Sequence, residues 1–229
     1  MAQSACATTK SSLPQTELLR LLNDPKINKS QYETDEAYHS RLTKIMPEAD
    51  HLTVVIPMPR DTGKYDAEAQ TFTIDNPALV AFFPEQFLLD GDPYTKVFLG
   101  REFGTKRSTK GSYVGENSFG VKRQVSVDQL DLYDIVFPQK EGSPPVEGLT
   151  ISIPREVAKN ITGRLIVVVS GALVAPYVIE DSDYAAPTVQ APHDLSVRRK
   201  AFVIQPDCTA VVDGVSGQVL STFDSTSLQ

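Results

Sequence analysis

The sequence predicts an α+β fold: a mostly antiparallel sheet or sheets of about ten strands, with two N-terminal helices and one short internal helix. Three observations carry this reading. Apolar residues recur at helical spacing before position 50, as in Tyr38, Leu42 and Ile45, and at a spacing of two from His51 onward. Val, Ile, Thr and Tyr are plentiful beside 16 prolines and 13 glycines, the composition of strands joined by turns. Helical patterns cluster near the start instead of alternating with strands, which favours antiparallel pairing.

Residues 1–13 are small and polar and read as a disordered tail. Residues 14–229 follow as one α+β domain, with a sub-boundary expected at the linker-like loop 139–147. Pro14–Leu22 carries Leu18, Leu19, Leu21 and Leu22 and is a short helix ended by Asn23-Asp24-Pro25. Helix two begins at an S-x-x-E capping box, Ser30 to Glu33, in which each side chain satisfies the other's free amide; it stops before Pro47. His51–Met58 and Gln70–Ile74 are strands paired as a hairpin around Asp61–Lys64. Residues 75–94 form a Pro-punctuated loop with aromatic anchors Phe82, Phe83 and Phe87. Strands are then expected at Lys96–Arg101, Ser112–Val114, Phe119–Val127 and Asp131–Phe137, the middle two flanking the turn Gly115-Glu116-Asn117-Ser118. After Gln139-Glu141-Pro145 come a strand (Leu149–Ile153), a short helix (Pro154–Asn160) with proline in its first turn, and a strand pair at 164–170 and 172–179. A loop over 180–194 precedes strands at 196–205, 209–212 and 218–223, the last pair turning at Asp213–Gly217.

Composition narrows the function. Apolar residues are 41% and charged residues 22% of 229, an ordinary globular balance. The net charge of −7 disfavours the whole chain as a non-specific nucleic-acid binder. No stretch approaches about 18 consecutive apolar residues, so no helical membrane span is expected. The N-terminus, Met1-Ala2-Gln3-Ser4-Ala5-Cys6-Ala7, lacks the basic and apolar segments of a signal peptide. Two readings compete: a mature periplasmic or secreted chain whose leader has been replaced by Met1, or a cytoplasmic protein. Cys6 and Cys208 have no C-x-x-C or Cys–His spacing, which argues against zinc and redox motifs. Their even number allows one long-range disulfide, which fits an oxidising compartment. A free Cys6 beside an unrelated buried Cys208 is the alternative.

Chemistry-bearing patterns are sparse. Gly115-x-x-Ser118-x-Gly120 misses the G-x-S-x-G nucleophile elbow by one residue and lies between strands, outside the strand-to-helix context that motif needs. It reads better as a hairpin turn in which glycines take positive φ and Asn117 closes the turn through its side chain. His39, His51 and His193 read as surface histidines. The acidic loops Asp90-Gly91-Asp92 and Glu180-Asp181-Ser182-Asp183 lack calcium-loop spacing and read as solvated turns. No catalytic residue, metal site or cofactor is assigned. Arg41 shares a helical face with Tyr38, Leu42 and Ile45; a guanidinium cannot deprotonate, so it is expected at least half-buried and held by a carboxylate or by carbonyls of the sheet.

Residues 101–123 hold six basic side chains, Arg101, Lys106, Arg107, Lys110, Lys122 and Arg123, against Glu102 and Glu116. The local net charge of +4 leaves −11 on the rest of the chain. Phe103, Tyr113 and Phe119 are interleaved, and Gly104, Gly111 and Gly115 are expected to leave backbone amides accessible. Lys106, Arg107, Lys110, Tyr113 and Arg123 are therefore the expected binding residues for an anionic glycan, lipid headgroup or other polyanion. Solvated loops are the bland alternative. Glu33, Arg41, Gly115, Asn117 and Gly120 are expected to be structural.

Three separated segments also form a recognisable set. Tyr32-Glu33-Thr34 to Arg41 resembles the "F/Y-E-T … Y … R" helix of uncharacterised secreted bacterial proteins. Lys64–Phe72 resembles their "Y-D-A-x-x-Q-x-F" hairpin, and Tyr113–Val121 is similar to their "Y-x-G-x-N-A-F-G" turn, with Ser118 where alanine is commoner. The stretch from Arg164 to Tyr177 fits the same pattern, so the likeness spans residues 30–180. The resemblance implies an envelope location and a binding or structural role, and carries no activity or site residues. The expected function is a non-enzymatic cell-envelope binding or scaffolding protein, with an anionic envelope component or a partner protein as ligand. A phage or secretion-apparatus subunit and a hydrolase with a non-standard site are the alternatives.

Overall fold

In the computed structural model, residues 12–58, 63–74, 98–138, 149–161 and 165–224 are described. The expectations for the tail, the 75–94 loop and the 139–147 loop lie outside them. The N-terminal helices are Gln15–Asn23 (α1) and Asp35–Ile45 (α2), each followed by a single 3₁₀ turn, Pro25–Ile27 and Pro47–Asp50. Leu18, Leu21 and Leu22 turn one face of α1 inward, and Tyr38 and Leu42 do the same for α2. The start of α2 differs from the expected capping box. Ser30–Glu33 is a separate turn, and the N-cap is Thr34, whose hydroxyl accepts from the Ala37 amide at 3.2 Å. Glu33 still accepts from the Ser30 amide, at 3.3 Å, and also from Arg41, while extended backbone at Thr34 separates this turn from the helix.

Among the described residues nine strands form two sheets: Leu52–Pro57 (β1), Gly63–Asp66 (β2), Thr71–Ile74 (β3), Phe98–Glu116 (β4), Lys122–Pro138 (β5), Leu149–Ser152 (β6), Leu165–Ala185 (β7), His193–Asp213 (β8) and Val219–Asp224 (β9). A third helix, Arg155–Ile161 (α3), follows β6. The larger sheet runs β1-β7-β8-β5-β4, with β9 also on β8; the smaller is β2-β3-β6. Every pairing is antiparallel except β5 with β8. Cα atoms of β1 and β4 approach within 8 Å, so the large sheet curls its two edges toward each other. The fold is α+β and β-rich.

Several expected strands merge, and the reason is physical. The separate strands at 164–170 and 172–179 are one 21-residue strand, β7, which continues through the expected 180–194 loop to Ala185. Ser170-Gly171 is a bulge and not a turn: a Cβ on Gly171 would overlap the Gln205 carbonyl and lie 2.8 Å from the Pro206 Cα. The expected strands 196–205 and 209–212 are likewise one, β8. Glu180, Asp181 and Ser182 stand opposite Lys200, Arg199 and Arg198, so the acidic run is a cross-strand complement to a basic one and not a solvated turn. β4 and β5 replace the expected short strands and loops between Phe98 and Pro138. Finally, β1 pairs with β7, not with the 71–74 strand, which forms its hairpin with β2.

The main core lies between the helices, the small sheet and one face of the large sheet, where Tyr38, Leu42, Phe72, Ile151, Tyr133, Val167, Phe202 and Ile204 pack together. The other face buries Val136, Ile179, Ala201 and Val203, and further along Val168, Ala210 and Val212. Central strands buried on both faces read as continuous apolar runs, with no alternation to mark their limits. Replacing Gly171 by Ala is expected to cost about 1–3 kcal/mol, because backbone opposes the new methyl and no rotamer relieves it. An unchanged urea midpoint for Gly171→Ala would contradict this close approach.

Candidate functional site

The length mismatch between β5 and its neighbours creates the most distinctive surface. β5 begins at Lys122, but its partnership with β8 starts only at the rung Ser126–His193. Beyond that rung the β4–β5 ribbon runs on alone through Tyr113–Val125 to Glu116–Lys122. Four rungs at about 3.4 Å each carry it roughly 14 Å past the sheet before the turn. We call this stretch the arm.

Its tip is well determined by local chemistry. Asn117 accepts through its side-chain oxygen from the amides of Phe119 and Val121, both at 3.0 Å. The Asn117 amide bonds to the Val121 carbonyl and the Gly120 amide to the Asn117 carbonyl. Gly120 sits at φ 77°, a conformation that disfavours any side chain. Gly115, in contrast, is strand backbone opposite Arg123, and Gly104 packs against Leu19. Phe103 is also buried. Phe119 is 90% exposed, and it stands with Tyr113, Val114 and Val121 among the eight large apolar side chains exposed in the described residues. Four of these eight side chains thus stand on one projection.

The expected binding residues fall on this ribbon but differ in availability. Lys106, Lys110 and Arg123 are exposed, and among the described residues none of them has an acidic partner within ion-pair distance. Arg107 is not free: its Nη2 donates to Asp128 Oδ2 at 2.8 Å. Lys122 lies 3.4 Å from Glu116. Tyr113 leans back to donate to Asp194 Oδ2 at 3.5 Å. Arg101 lies in β4, opposite Ile135.

At the base of the arm, Asp128 accepts from Arg107, from Thr109 at 2.7 Å and from Ser126 at 3.2 Å. These donors, Arg107 first, hold its carboxyl down to about 2. His193 approaches the same cluster, with Nδ1 2.7 Å from Ser126 Oγ and 3.6 Å from Asp128 Oδ2. Ser, His and Asp therefore meet, a grouping that sequence reasoning missed because 67 residues separate Ser126 from His193. Their arrangement is unlike a nucleophilic triad. Serine and aspartate share one ring nitrogen instead of flanking the imidazole, and the serine hydroxyl also lies within bonding distance of the carboxylate. A shallow hollow of about 470 Å³ nearby is lined by Gln129, Ser182, Tyr184, Ser196 and Arg198.

Arg41 lies elsewhere, beside a larger open hollow of about 680 Å³ lined in part by Lys26, Asn28, Tyr32 and Thr34. Its side chain is 33% exposed. Nε and Nη2 engage both Glu33 oxygens at 2.9 and 2.8 Å, Nη1 bonds to the Lys26 carbonyl, and Nη2 reaches the Asn28 carbonyl at 2.9 Å. The carbonyls come from the turn before α2 and not, as expected, from the sheet. The guanidinium also stacks 5.1 Å from the Tyr38 ring centre. With four of five donors committed, little remains for a ligand in that hollow. Tyr38 is fully buried and bonds to the Ile27 carbonyl at 2.5 Å. Tyr177, at φ 67° in an irregular stretch of β7, sets its ring against both Tyr38 and His39. His39 in turn lies 3.0 Å from Asp50 Oδ1.

Asp134 is the other perturbed acid. It is 2% exposed, its Oδ2 lacks a hydrogen-bond partner, and Glu102 stands opposite it on β4. Burial above all, and then Glu102, push it up to about 7. Cys208 is disulfide-bonded, and Cys6, the chain's other cysteine, lies outside the described residues. Among the described residues no helix is long and apolar enough to cross a membrane, and no group of three or more His, Cys, Asp or Glu is placed to hold a metal. Comparison with family models, curated proteins and solved structures finds no match.

Two stability predictions follow from these networks. Arg41→Ala is expected to cost about 3 kcal/mol, because it strands Glu33 and two carbonyls together. Arg41→Lys should recover only part, since an ammonium cannot make the bidentate contact; equal melting of all three proteins would refute the role. Asp134 behaves oppositely. Its folded value of about 7 exceeds the ordinary 3.8, so the native state binds the extra proton, and stability is lost as pH rises through that window. Asp134→Asn is therefore expected to stabilise the protein by about 2–4 kcal/mol at pH 8. That gain should shrink steadily toward pH 4, as chemical denaturation across pH will read.

Proposed function

We propose that this protein is a non-enzymatic, extracytoplasmic binding or scaffolding protein, and that the β4–β5 arm is its contact surface for an anionic partner. The observation that carries the reading is the separation of charge. Along one β4–β5 ribbon, Lys106 and Lys110 on its sheet-bound part and Arg123 on the arm have no acid within ion-pair distance among the described residues, and the exposed apolar side chains stand beyond them on the arm, while the rest of the chain carries the opposite sign. Such a distribution orients an anionic partner during approach, and the exposed aromatic adds apolar contact once it docks.

Other features support the same reading. The most perturbed acid, Asp134, is sealed from solvent instead of facing a cleft, whereas a catalytic group needs both a shifted pKa and access. Ser126, His193 and Asp128 meet in an order that suits structural bonding at the arm's base. The disulfide at Cys208 suits an oxidising compartment. The motif resemblance to secreted bacterial proteins points the same way.

Contact of this type is electrostatic and weakens with salt, as the Debye length falls from about 10 Å at 0.1 M to about 3 Å at 1 M. The triple variant Lys106→Glu, Lys110→Glu, Arg123→Glu is expected to lose retention on an immobilised polyanion such as heparin at low salt, while melting within a degree or so of wild type, as exposed substitutions do. Arg107→Glu should instead lower the melting temperature, because it breaks the Asp128 network. Unchanged retention of the triple variant would remove the arm as the contact surface.

A further inference from the structure

We infer that the arm is a membrane-surface anchor: its tip enters the headgroup region of an anionic lipid bilayer, with Phe119 as the inserted side chain. This rests on the contact surface proposed above and names its partner. Three observations favour a bilayer over a soluble polyanion. The most exposed large apolar side chain of the described residues, Phe119 at 90%, stands at the outermost turn with exposed Val121 two residues on, and exposed Val114 lies three rungs back, opposite Gln124. A glycan or acidic peptide would be read by donors at the tip, whereas this tip presents hydrocarbon.

The tip backbone is also prepared for a medium of low polarity. The amides of Asn117, Phe119, Gly120 and Val121 are all bonded within the turn: three donate to Asn117 oxygens, and Asn117's own donates to the Val121 carbonyl. Entering a bilayer interface therefore strands few of the turn's donors, the condition that excludes most irregular loops from lipid. Neighbouring positions carry the opposite requirement. Lys122 and Arg123 stand one and two rungs below the turn, opposite Glu116 and Gly115, and Lys110 lies further down beside the bulge at Thr109–Gly111. At about 3.4 Å per rung, Arg123, which has no acid within ion-pair distance among the described residues, lies roughly 7 Å behind the turn that carries the aromatic. That is the separation between the acyl boundary and the lipid phosphates at an interface where apolar groups enter by about 5–10 Å. Glu116, the one acid of the tip, is neutralised by Lys122 at 3.4 Å. The acidic body keeps the rest of the molecule off an anionic surface, so only the arm meets it.

Because the chain has no tryptophan, Phe119→Trp makes a single-site reporter of insertion. Vesicles of phosphatidylcholine alone and of phosphatidylcholine with an equal part of phosphatidylglycerol are titrated into the full-length variant at low salt. The expected result is a blue shift of the emission, and co-sedimentation, on the anionic vesicles only. Phe119→Asp should abolish co-sedimentation while keeping heparin retention, and Lys110→Glu with Arg123→Glu should abolish both. A Phe119→Trp emission that stays at its aqueous position, with heparin retention intact, overturns lipid insertion and leaves an anionic soluble partner. Loss of neither signal in the charge variant overturns the contact surface itself. Circular dichroism of each variant, matching wild type, confirms that the arm alone has been altered.

Discussion

The whole structure depends on satisfying the backbone of β8. This strand runs 21 residues through the middle of the large sheet, and most of its length from Lys200 to Asp213 is buried. A buried peptide group without a partner costs as much as a lost hydrogen bond. β7 therefore lines one edge throughout, while β5 and then β9 share the other end to end, β5 from His193 to Val203 and β9 from Cys208 to Val212. The single parallel pairing in the fold arises here, because β5 fills an edge that no hairpin partner reaches. β1 and β4 become the outer strands as a consequence.

The same arrangement explains the arm. β5 is held by β8 only as far as Ser126, where β8 begins, and the chain between Pro192 and Ser126 is pinned by the Ser126 amide to the Pro192 carbonyl. Asp128 gathers Arg107, Thr109 and Ser126 at this point, which ties both strands of the ribbon together where it leaves the sheet. Rigidity at the base and exposure at the tip are two results of one length mismatch. On the arm itself Lys122 pairs with Glu116, which leaves Arg123 as the cation there with no acid within ion-pair distance among the described residues.

Buried polar groups are handled in two contrasting ways. Lys200 is almost wholly buried, yet its ammonium bonds to Glu180 at 2.7 Å and to the Leu22 carbonyl at 3.1 Å, closing the C-terminal end of α1 on the sheet. Arg41 similarly joins the turn after α1 to α2. In both, a cation satisfies carbonyls that a helix end or turn leaves open. Asp134 Oδ2 has no such partner among the described residues, so this site makes stability fall with rising pH, whereas Glu33, Asp66 and Asp128, held below the ordinary carboxylate range by their donors, act in the reverse direction.

What the sequence alone determined was local. The helical stripe of Leu18, Leu21 and Leu22, the alternation of Thr71–Ile74, the turn at Asn117 and the turn at Asp213–Gly217 are each decided within a few residues, by periodicity or by side-chain bonding to nearby amides. The basic run 101–123 was legible as composition, and Arg41 as a cation on an apolar face. Tertiary structure decided everything that depends on partners distant in the chain. Gly171 reads as a turn in sequence and is a bulge because Gln205 lies against it; Glu180–Asp183 reads as a solvated loop and is a strand because Arg198–Lys200 lies opposite. Which cations of the β4–β5 ribbon are free was likewise undecidable from the chain, since Arg107 finds Asp128 across the hairpin whereas Lys106 and Lys110, close neighbours in sequence, find no acid among the described residues. Strand order, and with it the exposure of Phe119, follows from which long strands share β8, and pairing between segments far apart leaves no periodic trace in the residues that make it.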